Sequence, residues 1–301
     1  MSRRGWVLFV AMSVIWGVPY LLIKVAVVEV SPVLVVFGRC VIGAAILLPW
    51  TIAHGQLRPA LRHWRALLLF AVLEMAAPWL LLSYAETSLS SSLTGLLVAT
   101  VPFAAAVAAR LAGEPERLTP IRLVGMGLGV VGIAALLGLD VGAIHVLPIL
   151  AVAVTVIGYA TGPMVVSRAL PEVPGVAASS IALLVTAVVY APFAVPRLHL
   201  LRTASTSAVL SLVALGALCT ALALALFFAL IREAGPQRAL VITFVNPAVA
   251  VLLGVLLLHE HFTLGIAVGL PLVLLGCVLA TRRSPVVSEP SELCDVDTAV
   301  P

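Results

Sequence analysis

Apolar runs of about twenty residues follow one another along nearly the whole of this 301-residue chain. Each is long enough to cross ~30 Å of hydrocarbon at about 1.5 Å of helical rise per residue. In lipid the backbone must satisfy its own N–H and C=O groups, so such runs fold as helices. Composition agrees, with 62% hydrophobic residues, 10% charged residues and a mean hydropathy of +1.22. Ordinary soluble domains carry roughly 25% charged residues. The chain reads as an all-α integral membrane protein.

The runs and their breaks predict ten transmembrane helices, near residues 6–28, 33–53, 65–85, 90–111, 119–138, 144–168, 175–195, 207–230, 238–258 and 263–281. The breaks carry turn residues: Ser31-Pro32, His54-Gly55, Gly113-Glu114-Pro115, Pro171 to Gly175 and Gly235-Pro236. The first run continues to Val28 without an A-x-A cleavage site, so it is a helix and not a signal peptide. With the N-terminus inside, thirteen arginines fall on inner segments and only Arg197 and Arg202 on outer loops. That bias places both termini in the cytoplasm and the chain in the plasma membrane as a multi-pass protein. Residues 284–301 hold prolines, four acids and no apolar face, and read as a disordered cytoplasmic tail.

The net charge of +4 is dispersed over short loops, which argues against a nucleic-acid partner and for the lipid bilayer. Cys40, Cys219 and Cys277 lie in apolar runs, Cys294 lies in the tail, and no C-x-x-C occurs. They read as small apolar fillers, not a disulfide or metal set.

The two halves of the chain resemble each other. A shift of 143 brings Glu29 onto Glu172 and Pro49 onto Pro192; a shift of 145 brings Pro102 onto Pro247. At a shift of 144, Thr119, Gly125 and Gly132 meet Thr263, Gly269 and Gly276. This divides the chain into five-helix repeats over 1–141 and 142–283. Five is odd, so the second repeat enters the membrane from the opposite side, the inverted-repeat architecture of many secondary transporters.

Trp16-Gly17, LLVATVPF in the fourth helix, VITFVNPAVA in the ninth, and Glu114 and Glu260 before the glycine-bearing helices complete a pattern. Together they resemble EamA-type members of the drug/metabolite transporter superfamily, over roughly residues 6–281. The resemblance implies a ten-helix fold and export or exchange of small metabolites; it implies no catalytic set and no binding residue.

Four ionisable residues fall in or at the edge of spans: Lys24, Glu29, Arg39 and Glu74. A charge at mid-helix costs about 2.5–3.5 kcal/mol on insertion scales, so such residues face a bundle interior or an aqueous cavity. All four lie in or beside the first three helices, and the second half has no equivalent of Lys24, Arg39 or Glu74. Glu74 sits near mid-depth, and Pro78, four residues on, cannot donate to its carbonyl. A bend, a backbone acceptor and a carboxylate coincide there, with Trp79 beside them as an apolar wall carrying one N–H. The functional reading has Glu74 bind a substrate amine or carry a coupled proton. The alternative is an ion pair with Lys24 or Arg39 that pins three helices; these two cations are shallow enough to snorkel to the outer interface.

Pro102 and Pro247 occupy matching positions as paired helix breaks, a pointer to a transporter site. Asn246, beside Pro247, and Tyr159 in the sixth helix are further candidate contacts; Trp16 reads as packing. The glycines at 125, 129, 132, 265, 269 and 276 let helices approach within a half or between two copies in a homodimer. In His259-Glu260-His261 the histidines at i, i+2 share no helix face, so a solvated turn is expected there and no metal. Ser90–Ser92 read as a cap on the fourth helix. With no G-x-x-x-x-G-K-[ST], no nucleotide or other cofactor is expected. The sequence thus predicts a carrier of small polar or amphipathic molecules, not an enzyme. An intramembrane enzyme or a non-transporting helper subunit is the alternative; the first would need a nucleophile or metal cluster in the spans, the second no polar groups at mid-depth.

Overall fold

Wherever the sequence runs apolar for about twenty residues, the chain is helical. The computed structural model describes residues 2–113, 119–138, 146–235, 239 and 241–280, and among these the regular structure is all helix. Among the described residues, eight helices are long and apolar enough to cross a membrane: α1 (Arg3–Val27), α2 (Pro32–Ala53), α3 (Trp64–Ala85), α4 (Ser91–Leu111), α5 (Pro120–Leu137), α6 (Val146–Ala169), α7 (Gly175–Arg197) and α8 (Thr206–Ala234). Two shorter apolar helices follow, α9 (Ile242–Leu257) and α10 (Leu264–Leu279). The expected Glu114 turn and the C-terminal tail lie outside the described residues.

The helices pack in pairs that each join an early helix to a late one: α5 with α10, α2 with α7, α3 with α6, α4 with α9, and α1 with α8. Replacing every helix by the one five places away maps this set onto itself. Glycines allow the closest crossing. A methyl on Gly276 would stand 2.6 Å from the Gly125 carbonyl, and one on Gly132 would stand 2.8 Å from Val273 Cγ2. These small-residue faces therefore meet each other across the two halves, not within one half as the sequence also allowed.

Several helices are irregular. α1 is interrupted at Trp16–Gly17, just before Pro19, and α4 at Ala99–Thr100, just before Pro102. Pro247, expected to match Pro102 as a break, instead lies inside a continuous α9. It is the sixth residue of that helix, so its ring crowds the Thr243 carbonyl in the first turn, where little helix lies upstream to kink. In α3 the chain meets Pro78 by widening the preceding turn into a π-helix over Ala71–Ala76. A second π-helix occupies Ala217–Leu222 in α8, offset by 146 residues at both ends and with no proline near it. The widened turn therefore belongs to the pair of helices and is not caused by Pro78 alone.

At the bundle end opposite the N-terminus, here called distal, carboxylates of one half cap helices of the other. Ser205, the N-cap of the α8 helix, donates its N–H and its hydroxyl to Glu29, both at 2.5 Å. At α4, Ser91 N–H and Ser92 N–H donate to Glu260 at 2.7 and 3.0 Å, and Ser92 Oγ donates at 2.5 Å. Ser90 is the side-chain cap of the same helix, as the serine run predicts. Glu260 is therefore not in the solvated turn expected of its sequence. His259, held at a φ of 53°, turns the chain there, and Gly254 leaves room for the Glu260 carboxylate. At the proximal end Ser2 donates to Glu233.

Candidate functional site

The α3 π-turn lies on a glycine face of α6. A methyl on Gly158 would stand 2.4 Å from the Leu73 carbonyl and 2.8 Å from Pro78 Cγ; one on Gly162 would stand 2.3 Å from Glu74 Oε2. This G-x-x-x-G was not singled out by the sequence reading, although its spacing is plain in GYATG. Neighbouring helices also bond the irregular backbone: Thr155 Oγ1 donates to the Pro78 carbonyl at 3.2 Å, and Tyr190 OH to the Ala76 carbonyl at 3.0 Å. That is how a membrane helix tolerates a widened turn.

Glu74 is thereby set against α6, half-buried, with Oε2 closed off from solvent and without a hydrogen-bond partner. Among the described residues the alternative, an ion pair with Lys24 or Arg39, does not form. Lys24 Nζ donates to the Glu86 and Leu89 carbonyls, each at 2.7 Å, at the end of α3. Arg39 Nε donates to Thr220 Oγ1 at 2.7 Å, and its guanidinium carbon lies 3.7 Å from the centroid of the Trp79 ring. Arg39 is only 7% exposed, so it does not snorkel to the interface. The ring and hydroxyl draw it inward, and a desolvated cation–π contact of this kind is worth about 2 kcal/mol.

Around Arg39 the two halves converge. Thr220 belongs to the α8 π-turn and donates its own proton to the Leu215 carbonyl at 2.7 Å. Tyr159 of α6 neighbours the Trp79 indole and lies within electrostatic reach of Arg39 and Glu74. Tyr20 of α1, 8% exposed, lies within the same reach of Tyr159, Arg39 and Glu86. Residues from α1, α2, α3, α6 and α8 thus form one polar cluster. Five of the sequence candidates are placed in or beside it: Glu74, Arg39, Trp79, Tyr159 and the helix irregularity at Pro78. The Asn246 carbonyl lies against Gly17 at the α1 interruption.

Tyr20 links this cluster to a second one at the distal end. Glu86, one residue beyond α3, is fully buried, with both carboxylate oxygens unpartnered. Burial pushes its carboxyl well above the ordinary carboxylate range; Lys24 draws it back and Glu260 adds to the rise. At the same end a cavity of about 380 Å³ is lined by Lys24, Val25, Val28, Glu29, Leu258 and Glu260. Glu86 escaped the sequence reading because it falls at a helix end, where an acid is unremarkable.

A bundle of apolar helices, with charged and polar side chains gathered between its halves, defines a polytopic membrane protein. The EamA-like transporter family matches residues 3–138 and again 146–282. The chain belongs to that family and contains two of its repeats. It is 29% identical over 252 residues to the "uncharacterized inner membrane transporter YedA" of Escherichia coli K12, covering 81% of this chain and 79% of that protein. The YedA of E. coli O157:H7 matches to the same extent. A solved crystal structure, 21% identical, aligns over 93% of this chain and 98% of its own with a TM-score of 0.63, which extends the likeness to the fold.

Proposed function

We propose that this membrane transporter is a secondary carrier with ten spans in two five-helix halves of opposite orientation. It moves small polar or amphipathic molecules by alternating access. The observation that carries the reading is the cluster of Glu74, Arg39, Trp79, Tyr159 and Thr220, assembled from both halves and left with unsatisfied charge. The exchange of helix pairs on a five-helix shift and the matched π-turns support a two-fold relation between the halves. The thirteen-to-two arginine bias supports cytoplasmic termini, and the relative's description as an inner membrane transporter supports the plasma membrane. The Glu29 and Glu260 caps tie the two halves together at the distal end. Export or exchange is the expected direction, and Glu74 is the expected proton-coupling group.

Counterflow tests this. Proteoliposomes are loaded with unlabelled amino acids, amines or organic acids, and uptake of the matching labelled solute is followed. A carrier accumulates at least one label transiently, and Glu74→Gln abolishes or uncouples it. A well-folded protein that equilibrates labels without counterflow is a channel, and one that moves none is a helper subunit.

A further inference from the structure

We propose that the end of the Arg39 guanidinium is the docking point for the carboxylate of an organic-acid substrate. This rests on the carrier reading above. Arg39 is buried yet has no counter-charge: among the described residues its hydrogen bond goes to a neutral hydroxyl, Thr220 Oγ1, and no carboxylate pairs with it. An arginine does not shed its proton to escape such a site. A desolvated, unpaired cation is costly, and membrane proteins keep one where an anion visits.

The contacts also fix which edge of the group is offered. Trp79 covers one face of the guanidinium plane at 3.7 Å, and Thr220 occupies Nε. What remains is the Nη1/Nη2 edge, whose two parallel N–H bonds match the two oxygens of a carboxylate. Tyr159, beside Trp79, carries an O–H that can donate to the same ligand. The apolar body of the substrate is left to the surrounding rings of Trp79, Tyr159 and Tyr20. The position of Arg39 is held by close crossing of α2 and α8: a methyl on Gly216 would stand 2.5 Å from Ile42 Cβ, and one on Gly43 would stand 2.9 Å from Thr220 Cγ2. Thr220 and Trp79 are positioning residues for Arg39.

The test is calorimetric titration of the detergent-purified full chain with three acids, each beside its own amide: acetate, 3-phenylpropionate and succinate. At least one acid should bind tenfold or more tightly than its amide. Arg39→Gln should erase that preference, Arg39→Lys should retain part of it, and Thr220→Val should weaken it with folding intact. Equal binding of acid and amide in all three pairs overturns the proposal, as does a preference that survives in Arg39→Gln. If Arg39→Gln does not fold, the Lys and Val variants decide: a preference unchanged in both overturns it. Arg39-dependent acid binding without counterflow would uphold this site and sink the carrier reading. Counterflow of amines or neutral solutes without acid preference would do the reverse.

Discussion

Gly158→Ala is the sharpest test of how α3 and α6 fit together. The new methyl carbon would stand 2.4 Å from the Leu73 carbonyl oxygen, where a comfortable C···O contact is about 3.3–3.6 Å. The helices must part by about 1 Å, because the obstacle is backbone and not the tip of a side chain. Overpacking of that kind costs about 1–3 kcal/mol. Exchanging glycine for alanine inside a helix returns about 0.5–1 kcal/mol. The net loss is up to about 2.5 kcal/mol, or as much as roughly 60-fold in the unfolding equilibrium. Gly127→Ala is the internal control, since a methyl there meets nothing within 4 Å; it should gain up to about 1 kcal/mol. Gly162→Ala is intermediate: its methyl meets Glu74 Oε2, at the end of a side chain that can swing. It should disturb ligand binding more than stability. The assay is the midpoint of SDS-induced unfolding in mixed micelles. If Gly158→Ala is as stable as Gly127→Ala, the packing of the π-turn on the glycine face is wrong.

Two further outcomes follow from the distal caps. The Ser205 hydroxyl, and then the Ser205 N–H, hold Glu29 below its ordinary carboxylate value of 4.5; this contribution is present in full above that value and is lost as pH falls through the lowered one. The melting-temperature difference between wild type and Glu29→Gln should therefore shrink below about pH 4.5, and a difference constant with pH would refute the assignment. Glu260→Ala removes a cap, typically about 1 kcal/mol, and hydrogen exchange should quicken at the Ser91 and Ser92 amides but not across α2; uniform quickening would mean global loosening instead.

Much of the fold was legible because lipid allows so few solutions: length, hydropathy and turn residues placed each helix within a few residues. Glu74 was legible for the same reason, as a carboxylate where none is tolerated idly. The arrangement of the groups around it was not. Whether Arg39 snorkels or turns inward depends on Trp79 and Thr220, which are 40 and 181 residues away along the chain. The π-turns were hidden because Pro78 explained one irregularity well enough and nothing in ALCTAL announces the other. Glu260 looked solvated because its partners, Ser91 and Ser92, lie 168 and more residues earlier.

The matched π-turns place Glu74 and Thr220 at corresponding points of the two halves, one an acid and the other an alcohol that holds a cation. Two identical halves would present every such group twice, and an elongated guest could lie either way round with equal ease. Here the poles differ. On the carrier reading proposed above, a molecule with unlike ends is held in a single heading.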